Sequence, residues 1–291
     1  MTTIAADTGT DEGPLGSVTA RDESRGWYLY GITRRGSLAA ALAEADEPLA
    51  PGAAEPLQLL ECCGLAAVVR PVRVADFSPA VLQERLRSAT ELEVMVRRHN
   101  RVIETIHARQ AILPAKFGIV YASDRDIVSA LRSACDTLLP QLHQLDGCDE
   151  WALHLYADRA VVRDRIAERV PAIGRLRAEH AAARPGRAYF LERQLRDELE
   201  SATRQALVTL AQGVFDRLSL AAVASQVGSA GPGAEADGEV EILRASFLVA
   251  REAAAHFDDE LRAAADAGEG LRGECSGPWP PYSFAASEGA R

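Results

Sequence analysis

The feature that most constrains this chain is a long helical run that follows Pro185. Leu191, Leu195, Leu199, Ala202, Ala206, Leu210, Val214 and Leu218 recur at spacings of three and four. That repeat keeps apolar side chains on one helix face. Glu192–Arg196 and Glu200–Arg204 support it as i,i+4 pairs. Ahead of it, "EWALHLYAD" alternates Trp151, Leu153 and Leu155 with Ala152, His154 and Tyr156, the period of a half-buried strand. Between the two, "RAVVRDRIAERVPAIGRLRAEHAAARPGR" is charged and helix-prone, interrupted at Pro171 and Pro185. After the long helix, "LAAVASQVG" and "EVEILRASFLVAR" read as strands around the loop "SAGPGAEADG". "EAAAHFDDELRAAADAG" reads as a helix, and "LRGECSGPWPPYSF" as a strand and a rigid tail. Without its helical insert this half has the order βαββαβ, which is ferredoxin-like.

The first half is also mixed. "GWYLYGITRR" is an aromatic-rich strand bounded by Gly26 and Gly36, and "LQLLECCGLAAVVRPV" gives two short strands turning at Cys63-Gly64. "DEPLAPGAAEP" is a loop. Ser78 and Pro79 fit the start of one helix. Ser88 and Glu91 form a capping box for a second, whose apolar face is Leu92, Met95, Val96, Val102, Ile103 and Ile106, with His99 on the same face. Pro114 and Gly118 break "ILPAKFGIVY" into an edge strand or a bulged pair. Ser123 caps a further helix carrying Ile127, Leu131, Cys135, Leu138, Leu142 and Leu145, ended by Asp146-Gly147. Residues 1–25 are small, polar and acidic, and read as a disordered extension.

At 291 residues, two domains are expected rather than one core. The net charge of −10 argues against a nucleic-acid binder or a protein drawn to anionic lipid. No apolar run is long enough to span a bilayer, and the acidic N-terminus lacks the apolar core of a secretory signal. Five cysteines without a C-x-x-C pair fit a reduced, cytosolic setting. Catalytic motifs are missing. Lys116, the only lysine, lies between Ala115 and Phe117, which excludes a Walker loop. Lys116 reads as a surface lysine, with pairing to a carboxylate or a partner as the alternative. Gly231 to Ala236 formally fits G-x-G-x-x-A but runs into a strand, not a helix. His99 and His107 lie eight apart, off metal-binding spacing, and His99 reads as a structural histidine rather than a base. Cys62 and Cys63 read as packing residues. Catalytic, cofactor-binding and metal residues are therefore not assigned.

Six segments together resemble one family. They are "YLYGI" (Tyr28 to Ile32), "HNRVIETI" leading into "ILPAKFGIVYAS" (His99 to Ser123), "LDGCDEWALHLY" (Leu145 to Tyr156), "AYFLERQL" (Ala188 to Leu195), "ASFLVAR" (Ala245 to Arg251) and "GPWPPYSF" (Gly277 to Phe284). Their order and motifs resemble the gas vesicle protein F/L family, with an acidic N-terminal extension and a Gly/Ala insert near residues 228–238 as departures. The resemblance implies an α+β chain: an N-terminal α+β domain over 26–147, a modified ferredoxin-like domain over 148–276 and a tail over 277–291. It also implies a non-enzymatic, cytoplasmic accessory role in gas vesicle formation. The partners would be the hydrophobic shell protein, whose aggregation it would limit, and other accessory proteins. The alternatives are a ferredoxin-like ligand-binding regulatory module and an enzyme with an inter-domain site. Pro114, Lys116 and Phe117 form a candidate interaction surface, because Pro114 suggests a sheet edge. The tail residues Trp279, Pro280, Pro281, Tyr282 and Phe284 are expected to dock on the chain itself. A polyproline-like ligand for a partner, or a loose tail, is the alternative.

Overall fold

The computed structural model describes residues 25–48, 55–77, 81, 89–228, 238–266, 268 and 270–285. The extension before Arg25, Ser78, Pro79, Ser88 and most of the 228–238 insert lie outside the described residues. The chain divides into two compact units. One comprises the chain up to Cys148 with the segment from Pro280 onward; the other is Asp149–Trp279.

The first unit contains β1 (Arg25–Arg34), α1 (Ala39–Ala45), β2 (Gln58–Cys62), β3 (Leu65–Arg73), a 3-10 turn (Val74–Phe77), α2 (Ala89–His107), β4 (Ile112–Pro114), β5 (Val120–Tyr121) and α3 (Asp124–Gln144). Its sheet runs β2-β3-β1-β4, with β5 also paired to β1. The β2–β3 hairpin closes through Cys63 and Gly64, at φ 51° and 81°. Two positive φ angles match the twist of the flanking strands, and Gly64 accepts its own without strain. β4 and β5 follow one edge of β1 in two pieces, Gly31–Thr33 against Ile112–Pro114 and Trp27–Tyr28 against Val120–Tyr121. Ala115 to Gly118 bulge out between them, and Gly118 takes φ 89°. Ser123 caps α3 by accepting from the Asp126 amide.

β3 is buried at eight of nine positions. Val68 and Val72 join Met95, Val102, Ile103 and Ile106 of α2 in one core, and α3 packs on β2 and β3. Among the described buried polar residues, two organise this core. Arg70 is 1% exposed. Its guanidinium donates to the Tyr30 hydroxyl (3.2 Å), the Glu55 and Glu47 carbonyls (2.6 and 3.0 Å) and the Asp46 carboxylate (2.7 Å). Asp46 also accepts from the Leu57 amide, so one buried cation ties both ends of the 46–57 connection to the sheet. Four hydrogen bonds and a paired carboxylate make the buried charge tolerable.

His99, 2% exposed, is the second. Its Nε2 lies 3.2 Å from the Ala115 carbonyl and its Nδ1 2.8 Å from the Tyr28 hydroxyl. A carbonyl only accepts, so Nε2 carries the proton and Tyr28 donates to Nδ1. The Gly118 amide in turn donates to the Tyr28 oxygen (3.2 Å). The relay therefore has one direction, and it needs a neutral imidazole. Burial pushes His99 down to about 4 and raises Tyr28 above the usual phenol range.

The second unit contains β6 (Cys148–Asp158), α4 (Arg159–Arg169), α5 (Pro171–Ala182), α6 (Pro185–Leu220), β7 (Ala224–Val227), β8 (Glu239–Ala250), a 3-10 turn (Arg251–Ala253), α7 (Ala254–Asp266) and β9 (Leu271–Trp279). Its sheet order is β7-β8-β6-β9. Leu153, Leu155, Leu243, Phe247 and Val249 of the strands pack with Val214 and Leu218 of α6 and Phe257 of α7. Prolines open α5 and α6, where a missing N–H costs nothing. The long helix departs from the expected face. Its buried residues are Leu191, Thr203, Leu207, Ala211, Val214 and Leu218, so the middle of the stripe lies one residue beyond Ala202, Ala206 and Leu210. Thr203 can be buried because its hydroxyl donates to the Leu199 carbonyl (2.7 Å).

The C-terminus differs from expectation in one respect. Pro278 and Trp279 are not tail: β9 continues through them, and Trp279 pairs with Glu150. The segment that leaves the strand starts at Pro280. Pro280 and Pro281 are buried, Tyr282 packs against the first unit's core and Phe284 is half-buried. Two turns close it, Tyr282 N–H to the Pro280 carbonyl (2.7 Å) and Ala285 N–H to the Pro281 carbonyl (3.0 Å).

Three measurements check this description. Removing the chain from Pro280 onward exposes core around Tyr282 and is expected to lower Tm by about 5 °C; an unchanged melting curve contradicts the packing. Arg70→Met leaves the Asp46 carboxylate and two carbonyls without their donor. It is expected to cost about 3 kcal/mol in urea denaturation. His99 has its folded pKa depressed, so the unfolded chain binds its proton first as pH falls. Stability from this group is full above pH ~6.5 and falls by about 2–3 kcal/mol as pH approaches 4. His99→Gln should remove that part of the slope between pH 7.5 and 4.5. An identical slope in the variant contradicts the assignment.

Candidate functional site

The loop from Pro114 to Gly118 is positioned from beneath by the His99 relay. Lys116 is exposed and points its charge to solvent, whereas Pro114 is half-buried in β4. Phe117 is partly buried against the first core, its ring edge-on to Tyr28 (6.3 Å) and His99 (5.6 Å). Of the three residues, Phe117 thus serves as a packing anchor, and Lys116 is the one exposed to solvent. In the C-terminal segment, Trp279 is 42% exposed, and its indole N–H reaches the Ser276 hydroxyl (3.2 Å). Pro280, Pro281, Tyr282 and Phe284 offer less surface, being buried or half-buried.

The titratable groups are arranged for structure. Both ring nitrogens of His99 are engaged, leaving neither for a substrate. Among the described residues no group of three or more His, Cys, Asp or Glu is placed to hold a metal ion. The Cys62 and Cys63 sulfurs lie 3.4 Å apart, and their hydrogen bond raises the Cys63 thiol above its ordinary range. Burial pushes Cys275 up to about 11, so its reactive thiolate is scarce at neutral pH. In the second unit His154 donates to the Glu241 carboxylate (2.7 Å), and Arg244 approaches the same group at 3.0 and 3.1 Å. Burial works to raise Glu241, and the hydrogen bonds from Arg244 and His154 outweigh it and hold the carboxyl below its usual range.

Two open hollows are lined by described residues. One, of about 560 Å³, is lined by Glu44, Arg97, Asn100, Arg101, Glu104 and Thr105. The other, of about 280 Å³, is lined by Arg159, Ala160, Arg163, Glu200, Gly238 and Val240, and the Arg159 guanidinium holds Glu200 below the carboxylate norm. Both are polar-rimmed surface features within a single unit.

Exposed apolar side chains are the more distinctive feature. Leu220, Val223 and Val227 are exposed at the end of α6 and along β7, an edge strand of its sheet. Tyr189 and Phe190 are 65% and 71% exposed on the first turns of α6. Reasoning from sequence passed over both groups. Adjacent aromatics ahead of Leu191, which takes the buried position, were the available signal for the second.

The comparisons with known proteins agree with one another. The model of the family "Gas vesicle synthesis protein GvpL/GvpF" matches residues 26–286. Gas vesicle protein L of Streptomyces sp. (strain CB03234) is 29% identical over 269 residues, covering 89% of this chain and 92% of that one. Gas vesicle protein F of the same strain is 27% identical over 259 residues, covering 88% and 98%. Gas vesicle protein L1 of Halobacterium salinarum is 24% identical over 286 residues, covering 93% and 95%. The crystal structure of GvpF from Anabaena sp. PCC7120 superposes with a TM-score of 0.62 at 19% identity, over 92% of this chain and 99% of that one. GvpF from Microcystis aeruginosa gives 0.58 at 17%, over 89% and 98%. The mixed helix and antiparallel-sheet architecture is therefore that of solved GvpF structures. The family is one of gas vesicle accessory proteins and not a known enzyme family, and with a match that spans nearly its whole length this chain belongs to the gas vesicle synthesis protein GvpL/GvpF family.

Proposed function

We propose that this chain is an accessory protein of gas vesicle formation that binds the hydrophobic shell protein, together with other accessory proteins, during nucleation and limits its aggregation. The family match over residues 26–286 carries this reading. Physical chemistry supports it. A subunit that assembles through an apolar face aggregates when that face or its strand edges stay open. A partner of net charge −10 that covers such a face keeps the complex dispersed. Strand edges are available for addition: β4 beside Lys116, and β7 with Val223 and Val227 exposed at and beside it.

We read the two compact units as separate domains. The second is a modified ferredoxin-like domain, in which α4 and α5 are the insert between β6 and α6. Its sheet order β7-β8-β6-β9 supports this, with α6 and α7 as the two crossover helices. The place of action is the cytoplasm, at the growing vesicle. The described helices include none long and apolar enough to cross a membrane.

Co-expression of the full chain with the shell protein tests the function. The expected outcome is shell protein in the soluble fraction, co-purifying with this chain at a fixed ratio. Shell protein equally insoluble with and without the chain contradicts it.

A further inference from the structure

The charge of this protein is segregated. Residues 159–196, which form α4, α5 and the first three turns of α6, hold 10 of the chain's 32 basic residues, all arginine, and 4 of its 42 acidic ones. The rest of the chain holds 22 basic and 38 acidic residues. A stretch of net charge +6 is thus set in a chain that is otherwise −16. Arg169, Arg175, Arg177 and Arg184 are exposed, and among the described residues none of them lies within ion-pair distance of a carboxylate.

Within this stretch α6 buries Leu191 and turns its neighbours outward. Tyr189 and Phe190 meet edge to face with ring centroids 5.7 Å apart. Arg193 follows them at i+4 and i+3, and Arg196 lies seven residues beyond Tyr189, so these four share one exposed side of the helix. Arg193 and Arg196 are each 74% exposed, with only surface pairs to Asp197 (4.0 Å) and Glu192 (3.2 Å). Such pairs are worth little and are easily exchanged for a partner's carboxylates. Two bare aromatics flanked by arginine have the composition of a binding hot spot.

We propose that the outward face of the first turns of α6 docks an acidic amphipathic helix of a partner protein. Tyr189 and Phe190 take its apolar stripe, and Arg193, Arg196 and the neighbouring arginines face its carboxylates. Charge complementarity selects this occupant. A short acidic helix stays within the +6 stretch, whereas an extended polyanion or an anionic bilayer also meets the −16 of the remaining chain, and screening over ~8 Å at physiological ionic strength does not hide that charge at close approach. The inference rests on reading the chain as a binding protein, and it specifies the chemistry of one partner.

The test uses the full chain and a fluorescent synthetic helix of about 20 residues, with glutamates on one face and leucines on the other. A scrambled peptide of the same composition, oligothymidine and phosphatidylglycerol vesicles serve as alternative probes. The amphipathic peptide is expected to bind, with affinity falling as salt rises. Tyr189→Ser with Phe190→Ser should weaken binding at least about tenfold. Arg193→Gln with Arg196→Gln should weaken it and flatten the salt dependence, and both variants should melt as the parent does. The proposal is overturned by equal binding in the variants, by equal binding of the scrambled peptide, or by capture of vesicles or oligothymidine in preference to the helix. Because this assay contains no shell protein, its failure alongside intact co-purification removes the docking face alone.

Discussion

The first unit depends on a neutral histidine in an apolar core. Gly118 N–H donates to Tyr28, Tyr28 donates to His99 Nδ1, and His99 Nε2–H donates to Ala115. Three segments far apart in sequence, β1, α2 and the Pro114–Gly118 loop, are tied by bonds that run in one sense. The rings reinforce the relay: Tyr30 stacks on His99 at 5.5 Å, and Phe117 closes the other side. Protonation would reverse one donor inside a dry site, which is why burial holds the group so far below its normal range. The Pro114–Gly118 loop is thus fixed from within, with Lys116 exposed at its tip.

Arg70 applies the same rule with a permanent charge. It donates to Asp46, Glu47 and Glu55 and lets a cation share a face of β3 with Val68 and Val72. The second unit builds its core from apolar contact between β6, β8, α6 and α7, with Glu241 held by His154 and Arg244. In the first unit Arg70 and His99 hold backbone segments in place.

Much of the architecture was legible in the sequence because it is local. Prolines at 171 and 185 mark helix starts, Ser123 caps α3, and the alternation around Trp151 marks β6. What failed was phase and distance. Alanines at 202 and 206 fit a buried or an exposed position almost equally, so periodicity alone left the stripe of α6 one residue out. Arg70 in "VVRPV" gives no local sign of burial, since its partners lie 15 to 40 residues away. The partner of His99 is 71 residues distant. Trp279 read as tail because prolines flank it, yet an edge strand tolerates Pro278, whose missing N–H no neighbour requires. The outward aromatics of α6 were hidden by their own helix, since exposure depends on what fails to pack there.

A protein that works by covering a surface acts in proportion to its amount, whereas a catalyst does not. Light scattering from shell protein diluted out of denaturant, followed at increasing ratios of this chain, separates the two most directly. The account predicts that scattering is suppressed steadily and levels off near a fixed binding ratio. Full suppression at about a hundredth of that ratio, or none at any ratio, would contradict it.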